Sequence, residues 1–187
     1  MASVFIRTSE DKIFGEEPVA RYLHDRGILY RCWGVDRIDR RLKTLYPFCF
    51  NEQRALLDLY AEEILELKAK QGYVTQDVVA LSAETPNLEE LLEKFRREHH
   101  HRDDEVRFIV DGGGRFTIRQ GPLIFDIRVE PGDLLVVPAY TRHWFDLTEA
   151  RKILCIRIFK DPAGWEAIYD ERTGKWSGHP PAEAVLS

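Results

Sequence analysis

A chain of 187 residues, 44% hydrophobic and 32% charged, can bury roughly 70% of the surface its unfolded form exposes, so its core needs no disulfide framework. Its 27 Lys+Arg against 32 Asp+Glu give a net charge of −5, which argues against non-specific binding to nucleic acid or an anionic membrane. No apolar run approaches the roughly 20 residues of a membrane span, the N-terminal stretch lacks a signal peptide's apolar core, and Cys32, Cys49 and Cys155 have no paired spacing, so a reduced, cytoplasmic protein is expected.

The first half, about residues 1–97, reads as helical. Val19, Tyr22 and Leu23 recur at helical spacing over residues 16–26, and Gly27 supplies a C-terminal stop. An extended segment is expected near residues 27–36. Residues 51–70 form the clearest helix, with Asn51 as its cap, an apolar stripe of Leu56, Leu57, Tyr60, Ile64, Leu65 and Leu67, and Gly72 beyond its end. A shorter helix over residues 87–97 carries Leu88, Leu91, Leu92 and Phe95 on one side. These stripes face a core.

From His99 onward no helical period lasts, and short strands alternate with turn signals. Strands are expected at residues 105–110, 115–119, 123–129, 134–137 and 152–159, about residues 98–160 forming the barrel core. Gly112-Gly113-Gly114, Gly121-Pro122 and Pro131-Gly132-Asp133 punctuate them, the glycine run suiting a tight hairpin. Such spacing argues for a small barrel or double-sheet sandwich. With no linker or repeat between the halves, residues 1–187 read as one mainly β domain, its N-terminal helices packed on a β-barrel.

The chemistry concentrates in Glu98-His99-His100-His101-Arg102-Asp103-Asp104-Glu105, which holds three of the six histidines. On an extended strand His99 and His101 share a face and His100 points away. Glu105 keeps the same parity if the strand continues or bends gently. A further histidine, His143, follows on a later strand or loop. Two imidazoles and a carboxylate converging inside a barrel suit iron, nickel, manganese or zinc, and the lack of a Cys cluster argues against structural zinc. An octahedral ion with four such ligands keeps two positions free for a chelating substrate.

Alternation from Glu105 puts Arg107 and Ile109 on the ligand side, with Val106, Phe108 and Val110 opposite. Arg107 could hold an anionic substrate through charge-assisted hydrogen bonds. Ile153, Cys155, Arg157 and Phe159 share one face of the last strand. An arginine there is costly without an anionic partner, so Arg157 either pairs with a barrel acid or faces the site. Cys155 reads as a small buried hydrophobe, and residues 170–187 as a tail or irregular cover.

The spacing His99-x-His101, Glu105, Gly112, then Gly132, Pro138 and His143 resembles the two motifs of the cupin superfamily, a jelly-roll-like double-stranded β-barrel around a metal. The chain departs from it in having Glu93 six positions before His99 and Tyr140 at the glycine of Pro-x-Gly. More narrowly, residues 98–108, residues 137–146, and Ile156-Arg157-Ile158-Phe159 with Asp161-Pro162-Ala163-Gly164-Trp165 resemble the core motifs of acireductone dioxygenases. The resemblance extends to Arg31-Cys32-Trp33 and residues 68–77. It implies an enzyme of methionine salvage acting with O2 on the enediol 1,2-dihydroxy-3-keto-5-methylthiopentene. It also implies that His99, His101, Glu105 and His143 hold one Fe2+ or Ni2+ per chain, and it assigns Arg157 to the site. The iron form would yield formate and 4-methylthio-2-oxobutanoate; the nickel form would yield carbon monoxide, formate and 3-methylthiopropanoate. The methylthio tail needs an apolar pocket, for which Phe95, Phe145 and Trp165 are the candidates. A monomer with no nucleic-acid or membrane partner is expected. The alternatives are a cupin isomerase or epimerase of a sugar phosphate, and a non-catalytic cupin module that binds a small ligand.

Overall fold

The computed structural model describes residues 1–39, 41–42, 48–161 and 166–169. Trp165, Gly164 and the C-terminal stretch from residue 170 lie outside the described residues. Among the described residues, twelve strands form two antiparallel sheets. Ser3–Ile6 (β1) and Lys12–Phe14 (β2) precede helix α1, Glu16–His24, and strand β3, Leu29–Cys32. Helices Phe50–Leu59 (α2) and Ala61–Gln71 (α3) lead into Thr75–Leu81 (β4) and Leu88–Arg96 (α4). The remaining strands are His99–His100 (β5), Glu105–Gly112 (β6), Gly114–Gln120 (β7), Leu123–Val129 (β8), Asp133–Val137 (β9), Arg142–Leu147 (β10), Ile153–Phe159 (β11) and Ile168–Tyr169 (β12). One sheet runs β12-β5-β10-β7-β8-β1-β2 and the other β3-β9-β6-β11-β4.

Side-chain alternation on the five-stranded sheet separates two cores. Ile109 of β6, Leu135 and Val137 of β9, and Ile153 and Cys155 of β11 pack with Phe116, Ile118, Phe125 and Ile127 of the other sheet. Val106, Phe108, Leu134, Val136, Leu154, Ile156 and Ile158 point the other way, against Leu56, Tyr60, Ile64 and Leu67 of the α2–α3 layer. The first core fills the barrel and the second seals its outer wall. Val19 and Leu23 of α1 and Leu88 and Leu92 of α4 join the first.

Three expectations are corrected. The first half is not simply helical: β1 and β2 extend the seven-stranded sheet, while β3 and β4 form the edges of the other. Thr75–Leu81 carries no clean apolar alternation, because β4 gains its strand state from full-length pairing with β11. The helix expected over residues 51–70 breaks at Tyr60, where φ is −111°. The Tyr60 ring is fully buried and its hydroxyl donates to the Gly34 carbonyl at 2.7 Å, so tertiary packing overrides local propensity. Its N-terminus is set by Cys49 rather than Asn51, the Cys49 N–H donating to the Glu52 carboxylate at 2.6 Å.

The third correction is the glycine run. It makes no hairpin, because β6 and β7 lie in different sheets. The chain crosses between them while pressed against neighbouring backbone: a Cβ on Gly112, at φ +69°, would sit 2.1 Å from the Lys152 carbonyl oxygen, and one on Gly113 would sit 2.4 Å from that of Val129. Glycine is the residue that permits both the dihedral and the approach.

No helix among the described residues is long and apolar enough to cross a membrane.

Candidate metal centre

The site forms where the chain passes from one sheet to the other. His99 on β5 is the direct cross-strand partner of His143 on β10. After β5 the chain leaves the seven-stranded sheet, carries His101 through the link, and enters the five-stranded sheet at Glu105, the first residue of β6. The expected gentle bend from His99 to Glu105 is therefore a crossing between sheets. One ligand-type atom from each of His99, His101, Glu105 and His143 lies within 4.8 Å of the others, and all four residues are buried.

Each imidazole is oriented by a backbone carbonyl. His99 Nδ1 lies 2.6 Å from the Arg97 oxygen, His101 Nδ1 2.9 Å from that of Glu166, and His143 Nδ1 2.8 Å from that of Thr141. With the Nδ1–H donated in each case, Nε2 carries the lone pair, the tautomer that suits a metal ligand. Glu105 Oε2 lies 3.6 Å from His101 Nε2 and 2.5 Å from His143 Nε2. Glu105 Oε2 and His143 Nε2 are both buried without a hydrogen-bond partner among the described residues. Facing acceptors at such a distance are satisfied only by a cation or proton between them. Three imidazoles and a carboxylate in this arrangement fit a divalent metal ion.

Burial, with His143 and His101 beside it, pushes the His99 pKa down to about 3. Burial alone would raise Glu105, but the Arg107 guanidinium and the neighbouring imidazoles outweigh it and hold the carboxyl well below its usual range. Unfolded His99 takes up a proton near pH 6.5, whereas the folded group does so only near 3. The unfolded chain therefore binds more protons below 6.5, and the metal-free fold loses stability as pH falls from there toward 3. The expected loss is on the order of 1–2 kcal/mol between pH 6.5 and 5, with Glu105 adding loss of the same sign at lower pH. Thermal unfolding of the metal-free protein across that range tests this. His99→Gln should flatten the dependence, and an unchanged slope would contradict it.

Arg107 directs Nη2 to Glu105 Oε1 at 2.6 Å and donates from Nη1 to the Val106 carbonyl at 3.2 Å. Glu105 thus gives one oxygen to Arg107 and turns the other to the imidazoles. Arg157 meets a barrel acid: its Nε and Nη2 both donate to the Asp77 carboxylate, Nε at 2.7 Å. Cys155 is buried on the same face, and burial pushes its thiol up to about 11, so it packs as an inert hydrophobe.

Of the aromatic candidates, the Phe145 ring lies 4.7 Å from that of Phe116, which in turn lies 6.4 Å from His143. A Cβ on Gly114 would lie 2.1 Å from the Phe145 ring, so that glycine leaves room for it. Phe95 on α4 packs half-buried against the inter-sheet core. His100 faces away, its ring 5.9 Å from that of Tyr140.

Sequence reasoning missed the supports. The buried Asp103 carboxylate accepts from the backbone N–H groups of Asp104, Lys160 and Asp161 at 2.7, 2.6 and 3.2 Å. Asp104 accepts from Ala139 N–H and the Tyr73 hydroxyl, each at 2.9 Å, and from Lys160 Nζ at 2.6 Å. These two acids pin the ligand-bearing link to the turn before β10 and the end of β11. The adjacent pair before Glu105 was the available signal. The carbonyls of Arg97, Glu166 and Thr141 leave no sequence signal, nor does Tyr169, whose ring lies 5.6 Å from His99.

The turn before β10 is made with Tyr140 in the left-handed region, φ +62°, its N–H donating to the His101 carbonyl at 2.8 Å. The side chain is 66% exposed and returns little packing for a dihedral that costs a non-glycine residue about 1 kcal/mol or more. Tyr140→Gly is expected to gain about 1 kcal/mol, raising Tm by roughly 2–4 °C. A calorimetric scan showing a lower Tm would contradict this.

Residues 41–167 match the model of the ARD/ARD' family. The chain is 50% identical over 171 residues to the acireductone dioxygenase of Sulfurihydrogenibium sp. (strain YO3AOP1), covering 91% of this chain and 96% of that one. It is 43% identical over 175 residues to the acireductone dioxygenase of Bacillus pumilus (strain SAFR-032), covering 92% and 99%. The solved acireductone dioxygenase of Bacillus anthracis, with a cadmium ion in its active centre, superposes with a TM-score of 0.87 at 40% identity, over 90% of this chain and 98% of that one.

Proposed function

The chain belongs to the ARD/ARD' family, and from that premise we propose that it cleaves the acireductone 1,2-dihydroxy-3-keto-5-methylthiopentene with O2 in methionine salvage. The observation that carries this reading is the convergence of His99, His101, Glu105 and His143, with two acceptor atoms buried and otherwise unsatisfied. These four residues would hold one Fe2+ or Ni2+. Bound there, the ion would supply Lewis acidity toward substrate oxygens. The reading treats the helical half and the barrel as one catalytic domain, because β1, β3 and β4 are strands of the barrel's own sheets. It takes the enzyme to be a cytoplasmic monomer.

The residues divide the remaining work. The three carbonyls that receive Nδ1–H keep each Nε2 pointed inward, so the ligand set needs no rearrangement. Arg107 and Arg157 supply fixed cationic donors for an enediolate. Glu105 is committed to Arg107 and the imidazoles and is not free to act as a base. Phe95, Phe145 and Trp165 would receive the methylthio tail, since thioethers pack favourably on aromatic rings.

Stripping the protein with chelator, reloading it with Fe2+ or Ni2+, and adding the acireductone in air tests this. O2 uptake is expected with either ion, giving formate and 4-methylthio-2-oxobutanoate with iron. Nickel is expected to give carbon monoxide, formate and 3-methylthiopropanoate. No uptake with either ion would overturn the activity, and one product set for both would overturn the metal-dependent outcome.

A further inference from the structure

Asp77 lies on β4, an edge strand of the five-stranded sheet, directly opposite Arg157 of β11, which is itself directly opposite Arg107 of β6. Directly opposed residues project from the same face, so Leu135, Arg107, Arg157 and Asp77 form one row across the sheet, with Glu105 two residues along β6 from Arg107 on that face. Two guanidiniums stand side by side in the middle of that row. Like charges so placed repel, and Arg157 side chain exposure is only 11%, so this arginine needs something to hold it there. The Asp77 carboxylate engages it side-on, through Nε and Nη2 together. A two-point contact fixes the guanidinium plane as well as its position. Asp77 does not engage Nη1, and the guanidinium carbon lies 5.1 Å from the centroid of the Phe159 ring.

We propose that Asp77 is a positioning residue that holds Arg157 beside Arg107, so that the two arginines present a paired donor edge to the enediolate. The proposal rests on the activity proposed above. Charge and position make opposite predictions at Asp77. If the carboxylate served only to neutralise the chamber, its removal would make the site more positive and tighten anion binding. If it positions Arg157, its removal lets the guanidinium swing away from Arg107, and binding weakens.

The test is an anaerobic titration of the nickel-loaded protein with the acireductone, followed by absorbance, with nickel content measured on the same samples. Asp77→Asn is expected to raise Kd by about tenfold or more, the loss of one well-placed charge-assisted contact. Asp77→Glu, which can still make two contacts, is expected to stay within about threefold of wild type, with one nickel per chain throughout. Arg157→Lys keeps the charge but cannot be gripped at two points, and is expected to weaken binding about as much as Asp77→Asn. The two changes together should cost little more than either alone. If the Asn variant does not fold, Arg157→Lys and Asp77→Glu carry the comparison. Unchanged or tighter binding in Asp77→Asn, equal weakening in Asn and Glu, loss of nickel from either Asp77 variant, or wild-type affinity in Arg157→Lys would each overturn the proposal. A wild-type protein that binds no acireductone would instead remove the activity on which it rests.

Discussion

Glu105→Ala is expected to purify without bound metal and to lose at least about 10³-fold in kcat/KM, equivalent to roughly 4 kcal/mol of transition-state stabilisation. Glu105 is the anionic member of the cluster, and His99, His101 and His143 bring no negative charge. Without it, the Arg107 guanidinium, held 2.6 Å from Glu105 Oε1, would stand unpaired beside three imidazoles. A site that favoured a divalent cation would then repel one. Glu105→Gln separates charge from shape, since the amide keeps the volume but brings no negative charge and puts donors on one end. Both variants should fail together in metal content by elemental analysis and in steady-state kinetics. Retention of one equivalent of metal by either would contradict the assignment of Glu105.

The second large effect is structural. Phe108→Ala is expected to cost about 3–5 kcal/mol of stability, lowering Tm by roughly 10 °C or more. Phe108 is fully buried, its ring 4.9 Å from Trp33 and 4.6 Å from Tyr60, on the side of β6 that faces the α2–α3 layer. It lies on the opposite face of the strand from Arg107 and Ile109, so the variant should keep near-normal kcat/KM at temperatures where it remains folded. Denaturant unfolding at fixed metal loading measures the first quantity. A cost below about 1 kcal/mol would show that the helical layer does not pack as described.

The parts of this molecule legible in its sequence are those where one residue's chemistry or one strand's alternation decides the outcome. His99, His101 and Glu105 stood out because imidazoles and a carboxylate at short spacing have few other uses, and His143 stood out through its place in the second cupin-like motif. Strands β6, β9 and β11 were readable because each alternates between two apolar cores. Features set by long-range pairing were not readable. Strand β4 carries the polar Thr75-Gln76-Asp77 in its first half, and its register with β11 comes from long-range pairing, so Asp77 could not be placed beside Arg157. The glycines at residues 112–114 read as a hairpin, and the sheet order shows a crossing instead. The break at Tyr60 depends on its hydroxyl reaching Gly34, a contact invisible to helical periodicity. The carbonyls that orient the imidazoles belong to residues whose side chains do not signal the role.

The claim on which the account depends is that three imidazoles and one carboxylate of a single chain bind one ion. An anomalous-difference map from a crystal of the untagged, nickel-loaded protein tests it most directly. The account predicts one strong peak per chain at nickel's absorption edge, within about 2.0–2.2 Å of the Nε2 atoms of His99, His101 and His143 and of a Glu105 oxygen. A peak bounded by other residues, or none between these four in fully loaded protein, would contradict it.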